Sequence, residues 1–396
     1  MTPHALTRVP PANARPAAPS EANVVVLMNF VPPHRVPILS ELARRVKKLT
    51  VLLSTAMEPN RSWLAEWGDL DVRLQRTISW RYPWRHSTGF TEEAHRHLPW
   101  DTLAHLRSLA PDVVISGQLG PRSVLSAVYK TVARTPRLIF WVGMSEHTEL
   151  GRGRVYTYYR KRLLRLAHTV IINGCSGVHY LESLGVDPAR IFRCPYATTL
   201  DFFERGSDFR APEFAHKLLF VGQLVERKGL LPFLEVLRGW AERHPDRRIE
   251  FDVVGKGPLE RHIRDVRMPG NVRHRLRGSL RFEELPDAYA NAGILVFPTL
   301  ADDWGMVVNE ALAAGVPVLG SRYAQAVDDL CVDGINGWTF RPDAGNEMET
   351  ALDAALAVSA EKLNEMRRAA RERVANLTPQ SAADILCEAV QHALRQ

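Results

Sequence analysis

Ile294-Leu-Val-Phe-Pro-Thr-Leu-Ala-Asp-Asp-Trp-Gly-Met-Val-Val-Asn-Glu-Ala-Leu-Ala-Ala-Gly-Val-Pro-Val-Leu319 is the stretch whose reading decides the fold. Ile294 to Phe297 reads as a buried strand, and Pro298 with Asp302 and Asp303 as the turn after it. Met306 to Ala314 reads as a helix stopped by Gly315, and Val316 to Leu319 as the next strand. A helix opening at Gly305 leaves the amides of Gly305, Met306 and Val307 without intrahelical partners. Together with the positive end of the helix dipole, they attract phosphate. Glu310 follows about one turn further on, within reach of hydroxyls on whatever carries that phosphate. A diphosphate joined to a sugar or ribose fits both features. Taken alone, the stretch also fits a plain helix cap with Glu310 as a solvated side chain. An acidic pair in a turn is a cap far more often than a metal site, so no metal is expected here.

The rest of the chain widens this reading. Its 396 residues suggest two domains of ordinary size, and 45% hydrophobic with 24% charged residues is typical of soluble proteins. Cys175, Cys194, Cys331 and Cys387 are scattered without a C-x-x-C spacing, which points to reduced thiols in a cytoplasmic protein rather than zinc or disulfides. No apolar run approaches the roughly 18 residues that span a bilayer. Residues 1–22, rich in Pro and Ala, read as a disordered leader.

Net charge is +7, unevenly spread: residues 1 to 200 hold 26 Lys and Arg against 14 Asp and Glu, and the remainder 25 against 30. The first half therefore suits an anionic partner. The run Arg152 to Arg165, with Tyr156, Tyr158 and Tyr159 and with Leu163, Leu164 and Leu166 behind it, reads either as a basic amphipathic helix at an anionic membrane or as an ordinary exposed face. No pattern of a nucleic-acid-binding motif accompanies the charge, so nucleic acid is not an expected partner.

Two alternating series run along the chain. The first has strands at Val24–Met28, Leu49–Ser54, Val72–Gln75, Asp112–Ser116, Leu138–Val142, Val170–Ile172 and Ile191–Cys194, with helices at Ile38–Val46, Thr102–Leu109 and Ser123–Val132. Tyr82 to Trp100, rich in aromatics and histidines, reads as a functional loop or irregular helix. The second series has strands at Lys217–Gly222, Ile249–Val254, Val272–Leu276, Ile294–Phe297, Val316–Leu319 and Gly337–Phe340. Alternation of this kind predicts parallel sheets covered by helices, with ligands at the carboxyl ends of strands. The expected organisation is a leader (1–22), a first Rossmann-like domain (23–200), a linker (201–216), a second Rossmann-like domain (217–375) and a final helix (376–396) packing back on the first domain.

Further glycine turns follow strands of the second series. Gly222-Gln-Leu-Val-Glu-Arg-Lys-Gly229 puts Lys228 near a helix start, where a cation neutralises a leaving diphosphate. Gly255-Lys-Gly-Pro258 makes a tight turn whose backbone can approach a flat base. In these segments, and in EELPDAYANAGILVFPT (283 to 299), DDWGMVVNEALAAGVPVLGS (302 to 321) and DGINGWTF (333 to 340), the chain resembles family 4 glycosyltransferases, retaining nucleotide-sugar enzymes of GT-B fold. The resemblance is nearly continuous from about residue 170 to 360 and implies an α/β fold with two doubly wound parallel-sheet domains facing a cleft.

What the resemblance implies for the site is specific. Glu310 binds ribose hydroxyls, and Asp302, standing where the family has Glu, contacts the donor sugar. Gln223, where the family commonly has Arg, sits with Lys228 on the diphosphate, with Arg227 nearby. Gly222, Trp304, Gly305, Met306 and Val307 belong to the donor site, and Gly255, Gly257 and Pro258 to the base-binding turn. In the first domain, Glu146 or His147 in Trp141-Val-Gly-Met-Ser-Glu-His147 takes the place of a positioning residue, and His34 and Arg35 are acceptor contacts. For these four, core packing or a surface turn is an equal alternative. The implied activity is sugar transfer from a nucleoside-diphosphate donor to a hydroxyl of a glycan or lipid-linked acceptor, with retention, Asp302, Lys228 and His147 catalytic, and neither cofactor nor metal. A nucleotide-sugar-binding protein with weak or no catalysis is the alternative. The expected location is the cytoplasm, with the inner face of the cytoplasmic membrane as a further setting.

Overall fold

The computed structural model describes residues 19–58, 65–204 and 211–396. Most of the expected leader and part of the expected linker lie outside them. The chain divides into two units: unit 1 takes the residues up to Trp84, Glu93–Thr198 and Asn376–Gln396, and unit 2 takes Arg85–Glu92 and Thr199–Ala375.

Unit 1 opens with β1 (Ser20–Met28), α1 (Arg35–Ala43), β2 (Val46–Leu53) and β3 (Asp71–Leu74). A separate two-stranded hairpin follows, β4 (Thr77–Arg85) and β5 (Thr91–Pro99). Then come α2 (Thr102–Leu109), β6 (Val113–Gly117), α3 (Pro121–Ala133), β7 (Arg137–Val142), α4 (Arg154–Leu164), β8 (Thr169–Ile172), α5 (Cys175–Ser183) and β9 (Ile191–Arg193). The main sheet runs β3-β2-β1-β6-β7-β8-β9, every pairing parallel. Both faces are covered, so the central strands carry continuous apolar runs, Val24–Met28 in β1 and Leu138–Val142 in β7. Val24, Val26 and Met28 point into one core layer, and Val25 and Leu27 into the other.

Unit 2 continues through β10 (Lys217–Val221), α6 (Leu230–Arg243), β11 (Ile249–Val254), α7 (Glu260–Asp265), β12 (Val272–Gly278), α8 (Leu285–Ala290) and β13 (Ile294–Phe297). It ends with α9 (Met306–Ala313), β14 (Val318–Ser321), α10 (Gln325–Leu330), β15 (Gly337–Phe340), α11 (Glu347–Leu356) and α12 (Ala360–Val374). Its sheet order is β12-β11-β10-β13-β14-β15, again all parallel. The last helix, α13 (Pro379–Arg395), belongs to unit 1, where Ala382, Leu386, Ala389 and Val390 enter the same core layer as Val24 and Val26.

Three sequence expectations are corrected. The segment from Tyr82 to Trp100 is a hairpin rather than a loop or irregular helix. Trp80, Tyr82 and Trp84 alternate at strand period, and Gly89, at φ +98°, closes the turn while the His86 amide donates to the Phe90 carbonyl at 3.0 Å. Aromatics on a largely exposed strand hid the alternation, since Trp80 is 41% exposed. The first strand begins at Ser20, inside the expected leader, because the Ser20 amide donates to the Arg45 carbonyl at 2.8 Å. The strand expected at Val316–Leu319 starts at Val318: Pro317 has no amide to donate, and the Val316 amide closes back on Ala311.

Two glycines lock the loops of unit 2 together. Gly229 has φ +65°, and a Cβ there would lie 2.0 Å from the Pro298 carbonyl oxygen; at Gly255, with φ +139°, it would lie 1.8 Å from the Gly222 oxygen. The loop after β10 is thereby held against the loops after β13 and β11. Gly255→Ala is expected to cost about 3 kcal/mol or more in urea unfolding, whereas Gly270→Ala, with open space around it, stays within about 0.5 kcal/mol. Equal effects would contradict the interlock.

Candidate functional site

In unit 2 the order β12-β11-β10-β13-β14-β15 reverses direction between β10 and β13. Open parallel sheets bind ligands beyond the carboxyl ends of the strands at such a switch point. The loops leaving β10 and β13 carry Lys228 and Asp302, and the structure brings these residues together. The Leu300 amide donates to the Arg227 carbonyl at 2.7 Å, and the Thr299 hydroxyl to the same oxygen at 3.0 Å.

Asp302 sits in a cationic clamp. Lys228 Nζ donates to Asp302 Oδ2, and Arg227 Nη1 reaches the same oxygen at 3.3 Å. Arg227 Nε also donates to both oxygens of Glu92 at 3.0 Å. Burial on its own raises the Asp302 pKa, but the Lys228 and Arg227 charges overcome it and hold the carboxyl below its ordinary value. Burial lowers the Lys228 pKa against the pull of Asp302. The ammonium also lies 5.0 Å from the Phe297 ring centroid.

Beyond the clamp, α9 starts at Met306 with Gly305 as its cap, at φ +103°. A Cβ on Gly305 would stand 2.7 Å from the Phe297 ring, so the helix start fits closely over the end of β13. Among the described residues no acceptor takes the amides of Gly305, Met306 and Val307. Glu310 lies one turn on, buried, and its Oε2 accepts from the Tyr289 hydroxyl at 2.7 Å. Burial pushes the Glu310 carboxyl up to about 7, with the Tyr289 bond opposing.

The other expected donor-site residues fall into two groups. Gly222 and Gly255 form a paired turn: the Gly222 amide donates to the Val254 carbonyl at 3.0 Å, and the Leu224 amide to the Lys256 carbonyl at 3.0 Å. Gln223 lies inside this turn, and Gly257 and Pro258 follow on the β11 side. A Cβ on Gly257 would meet the Leu224 oxygen at 2.4 Å. Trp304 has a different place. It is 1% exposed and its indole N–H donates to Asn309 at 2.8 Å, so the ring is a core support for the loop.

In unit 1, Arg35 stacks over Trp141, its guanidinium 4.2 Å from the ring centroid, and donates to the Tyr196 hydroxyl at 3.0 Å. The His34 ring lies 5.0 Å from Tyr196. Glu146 is exposed and accepts from the Ser176 hydroxyl at 3.3 Å, with His179 at 3.8 Å; His147 is half-buried in the next position. His34, Arg35 and Trp141 thus form one cluster at the carboxyl edge of the sheet, while Glu146 sits beside the start of α5. His86, His95, His97 and His105 make no metal site: no cluster of His, Cys, Asp and Glu able to hold a metal is found among the described residues.

Sequence reasoning missed Tyr289, Phe203 and Arg122. Tyr289 is fully buried and reads as core, and its bond to Glu310 spans 21 positions, beyond any local pattern. Phe203, inside the stretch expected to be a linker, is fully buried with its ring edge-on to Tyr289 at 5.9 Å. Arg122 does leave a trace, a charged residue directly after the Gly120-Pro121 helix start at a strand end.

Residues 215–357 match the family model of Glycosyl transferases group 1. An uncharacterized glycosyltransferase of Methanocaldococcus jannaschii is 24% identical over 243 residues, 56% of this chain and 60% of that protein. A GDP-mannose-dependent alpha-mannosyltransferase of Corynebacterium glutamicum is 33% identical over 127 residues, 32% of this chain and 28% of that protein. The chain therefore spans 60% or less of the length of these curated relatives. The crystal structure of HepE from Anabaena in complex with UDP superposes with a TM-score of 0.66 at 14% identity, covering 93% of this chain and 99% of that one. The architecture is GT-B, two parallel-sheet α/β domains. The residues that match the group 1 model all lie in the second unit.

The Glu310 environment makes a stability prediction. The folded pKa of about 7 lies above the ordinary 4.5, so the unfolded chain releases this proton first. The charged carboxylate therefore costs nothing below pH 4.5, and its penalty grows as pH rises toward 7. Glu310→Gln is expected to stabilise the ligand-free protein by about 1–3 kcal/mol at pH 8 and hardly at all at pH 4.5. Urea unfolding at the two pH values checks this, and a pH-independent effect refutes it.

Proposed function

We propose that this protein is a retaining glycosyltransferase, moving a sugar from a nucleoside-diphosphate sugar to an acceptor hydroxyl in the assembly of a polysaccharide or lipid-linked glycan. The observation that carries this reading is the Lys228–Asp302 pair standing at the switch point beside the open amides of α9, with Glu310 one turn further on. The group 1 match and the glycosyltransferase names of the relatives support it.

In this reading the open amides of Gly305, Met306 and Val307 bind the diphosphate, and Glu310 takes the ribose hydroxyls. An ammonium has three donors, so Lys228 keeps its bond to Asp302 and turns the others on the leaving diphosphate. Asp302, held ionised by the clamp, orients the donor sugar. As the bond to the anomeric carbon breaks, negative charge gathers on the diphosphate. The acceptor then adds from the same face, its proton passing to the departing phosphate oxygen. The protein's own cations supply the neutralisation, so this reading uses no metal. Gln223 lines the donor turn with Gly222, Gly255, Gly257 and Pro258; His34, Arg35, Trp141 and Glu146 of unit 1 serve the acceptor, and His147 is the catalytic residue of that unit.

A membrane-proximal acceptor suits the surface of α4. Val155 is 85% exposed and Tyr158 59% exposed among Arg154, Lys161, Arg162 and Arg165, while Leu163 and Leu164 are buried in the core. No helix among the described residues is long and apolar enough to cross a membrane. We place the protein in the cytoplasm, in peripheral contact with the anionic inner face of the membrane.

Thermal stabilisation by UDP, GDP and ADP identifies the donor base, and release of nucleoside diphosphate in the presence of donor and acceptor demonstrates transfer. Lys228→Ala is expected to lower kcat about 100- to 1000-fold, and Glu310→Ala to abolish measurable donor binding with the fold intact. Donor binding without turnover would instead mark a nucleotide-sugar-binding protein. Ribose hydroxyls donate to the ionised Glu310 carboxylate, so affinity for the matching nucleoside diphosphate should rise between pH 6 and 8. In Tyr289→Phe the midpoint moves upward, because the Tyr289 hydroxyl holds the carboxyl down. Calorimetry that shows no pH dependence removes Glu310 from the site.

A further inference from the structure

Unit 1 has a switch point of its own. Its order β3-β2-β1-β6-β7-β8-β9 reverses between β1 and β6, and a Cβ on Gly117, the last residue of β6, would lie 3.2 Å from the Leu27 oxygen on β1. The two segments that leave this point each bring one arginine back to the edge: Arg35 opens α1 after β1, and Arg122 lies in the first turn of α3 after β6. Arg122 Nε donates to the Gly117 carbonyl at 2.9 Å and Nη1 to the Ser54 hydroxyl at 3.2 Å, at the ends of β6 and β2. Arg35 donates to Tyr196 and stacks on Trp141, near the end of β7.

Both side chains are buried, Arg35 at 6% and Arg122 at 4% exposure. Neither forms an ion pair with a described residue, and Arg35 Nε has no hydrogen-bond partner there. Burial lowers the Arg122 pKa to about 10, with Glu58 opposing and Arg35 adding to the depression. Glu58 itself is engaged by Asn29 at 3.2 Å and faces His97 at 3.6 Å. Buried charges are normally paired, because removing an ion from water costs several kcal/mol. The contrast within the same molecule is sharp, since the buried Arg160 pairs with Glu149 at 2.6 Å and Arg227 with Glu92 and Asp302. An incoming anion at the unit 1 edge would supply the missing counter-charge, and the positive ends of α1 and α3 add to the attraction.

We propose that Arg35 and Arg122 form an anion site at the switch point of unit 1 that holds a phosphoryl group, and that this group belongs to the acceptor. The anion site stands on the arginines alone; its assignment to the acceptor rests on the transferase reading. Two guanidinium groups suit a doubly charged phosphoryl oxyanion better than a single carboxylate. The phosphoryl group is either that of a soluble sugar or polyol phosphate or that of a lipid headgroup.

The test uses the full chain in a Lys228→Ala background, which weakens anion binding in unit 2. Inorganic phosphate is titrated at constant ionic strength against chloride, read by calorimetry. Saturable phosphate binding is expected, weakened at least tenfold by Arg35→Gln and partly restored by Arg35→Lys. Circular dichroism verifies folding, and Arg122→Gln serves as a second variant should Arg35→Gln not fold. Binding that survives both arginine changes, or that chloride matches, overturns the proposal. Two further arms separate the sources. Competition by glycerol 3-phosphate marks a soluble acceptor, and Arg35-dependent capture on phosphatidic acid vesicles, absent on phosphatidylcholine alone, marks a lipid headgroup. Absence of both overturns the acceptor assignment. Nucleotide stabilisation in otherwise unchanged protein carrying Arg35→Gln reports on unit 2 separately, so failure of the donor reading and failure of this one are distinguishable.

Discussion

The second unit is organised around a buried carboxylate that two cations share. Asp302 is taken out of water by the loops after β10 and β13, and without Lys228 and Arg227 that desolvation would be prohibitive. The clamp does what a packed apolar contact cannot: it fixes the position of charge. Lys228 stays on the end of β10 rather than sweeping through solvent, and Asp302 stays ionised next to the start of α9. Gly229 and Gly255 serve the same end through the backbone, since a side chain at either position would push the loops apart. A binding surface for a diphosphate needs this kind of preorganised charge, because energy spent reorganising dipoles during binding is lost to the reaction.

Glu310 shows the cost side of the same design. Its carboxylate is buried under α9 with one bond from Tyr289, and Phe203 braces Tyr289 from the side. One oxygen is satisfied and the charge is incompletely compensated, which is why the pKa climbs to about 7. A residue chosen for stability alone would be neutral here. In the transferase reading proposed above, the protein keeps an acceptor of hydrogen bonds poised for a hydroxyl-bearing ligand, a small instability tolerated for recognition.

Unit 1 repeats the topology with the opposite electrostatic solution. Where unit 2 balances its cations with Asp302 and Glu92, unit 1 leaves Arg35 and Arg122 leaning on an aromatic face, a tyrosine hydroxyl, a carbonyl and a serine. Parallel sheets of the same order thus present different charges at equivalent places, which is how one fold is adapted to different ligands. The hairpin of β4 and β5 stands outside both main sheets, and its turn is counted with unit 2. Its aromatics lie mostly outward and contribute little to the core, so they misled any reading that equates aromatic residues with burial.

The apolar runs, the strand-to-helix glycines and their order along the chain settled the two-sheet architecture, because parallel strands covered on both faces admit little but Val, Ile, Leu and Phe. The positions of Lys228, Asp302 and Glu310 beyond strand ends were legible too, since each follows an apolar run in a segment that carries a strand-to-helix glycine. The tertiary structure alone decided their states. Asp302 is clamped and ionised, Glu310 is pushed toward neutrality by burial while Tyr289, 21 positions away, holds it partly back, Trp304 is turned inward, and Arg35 and Arg122 are both buried. Sequence pattern reports local conformation and burial of a face, whereas a pKa or a missing counter-ion depends on which distant groups share the same few ångströms and on how much water has been removed from between them.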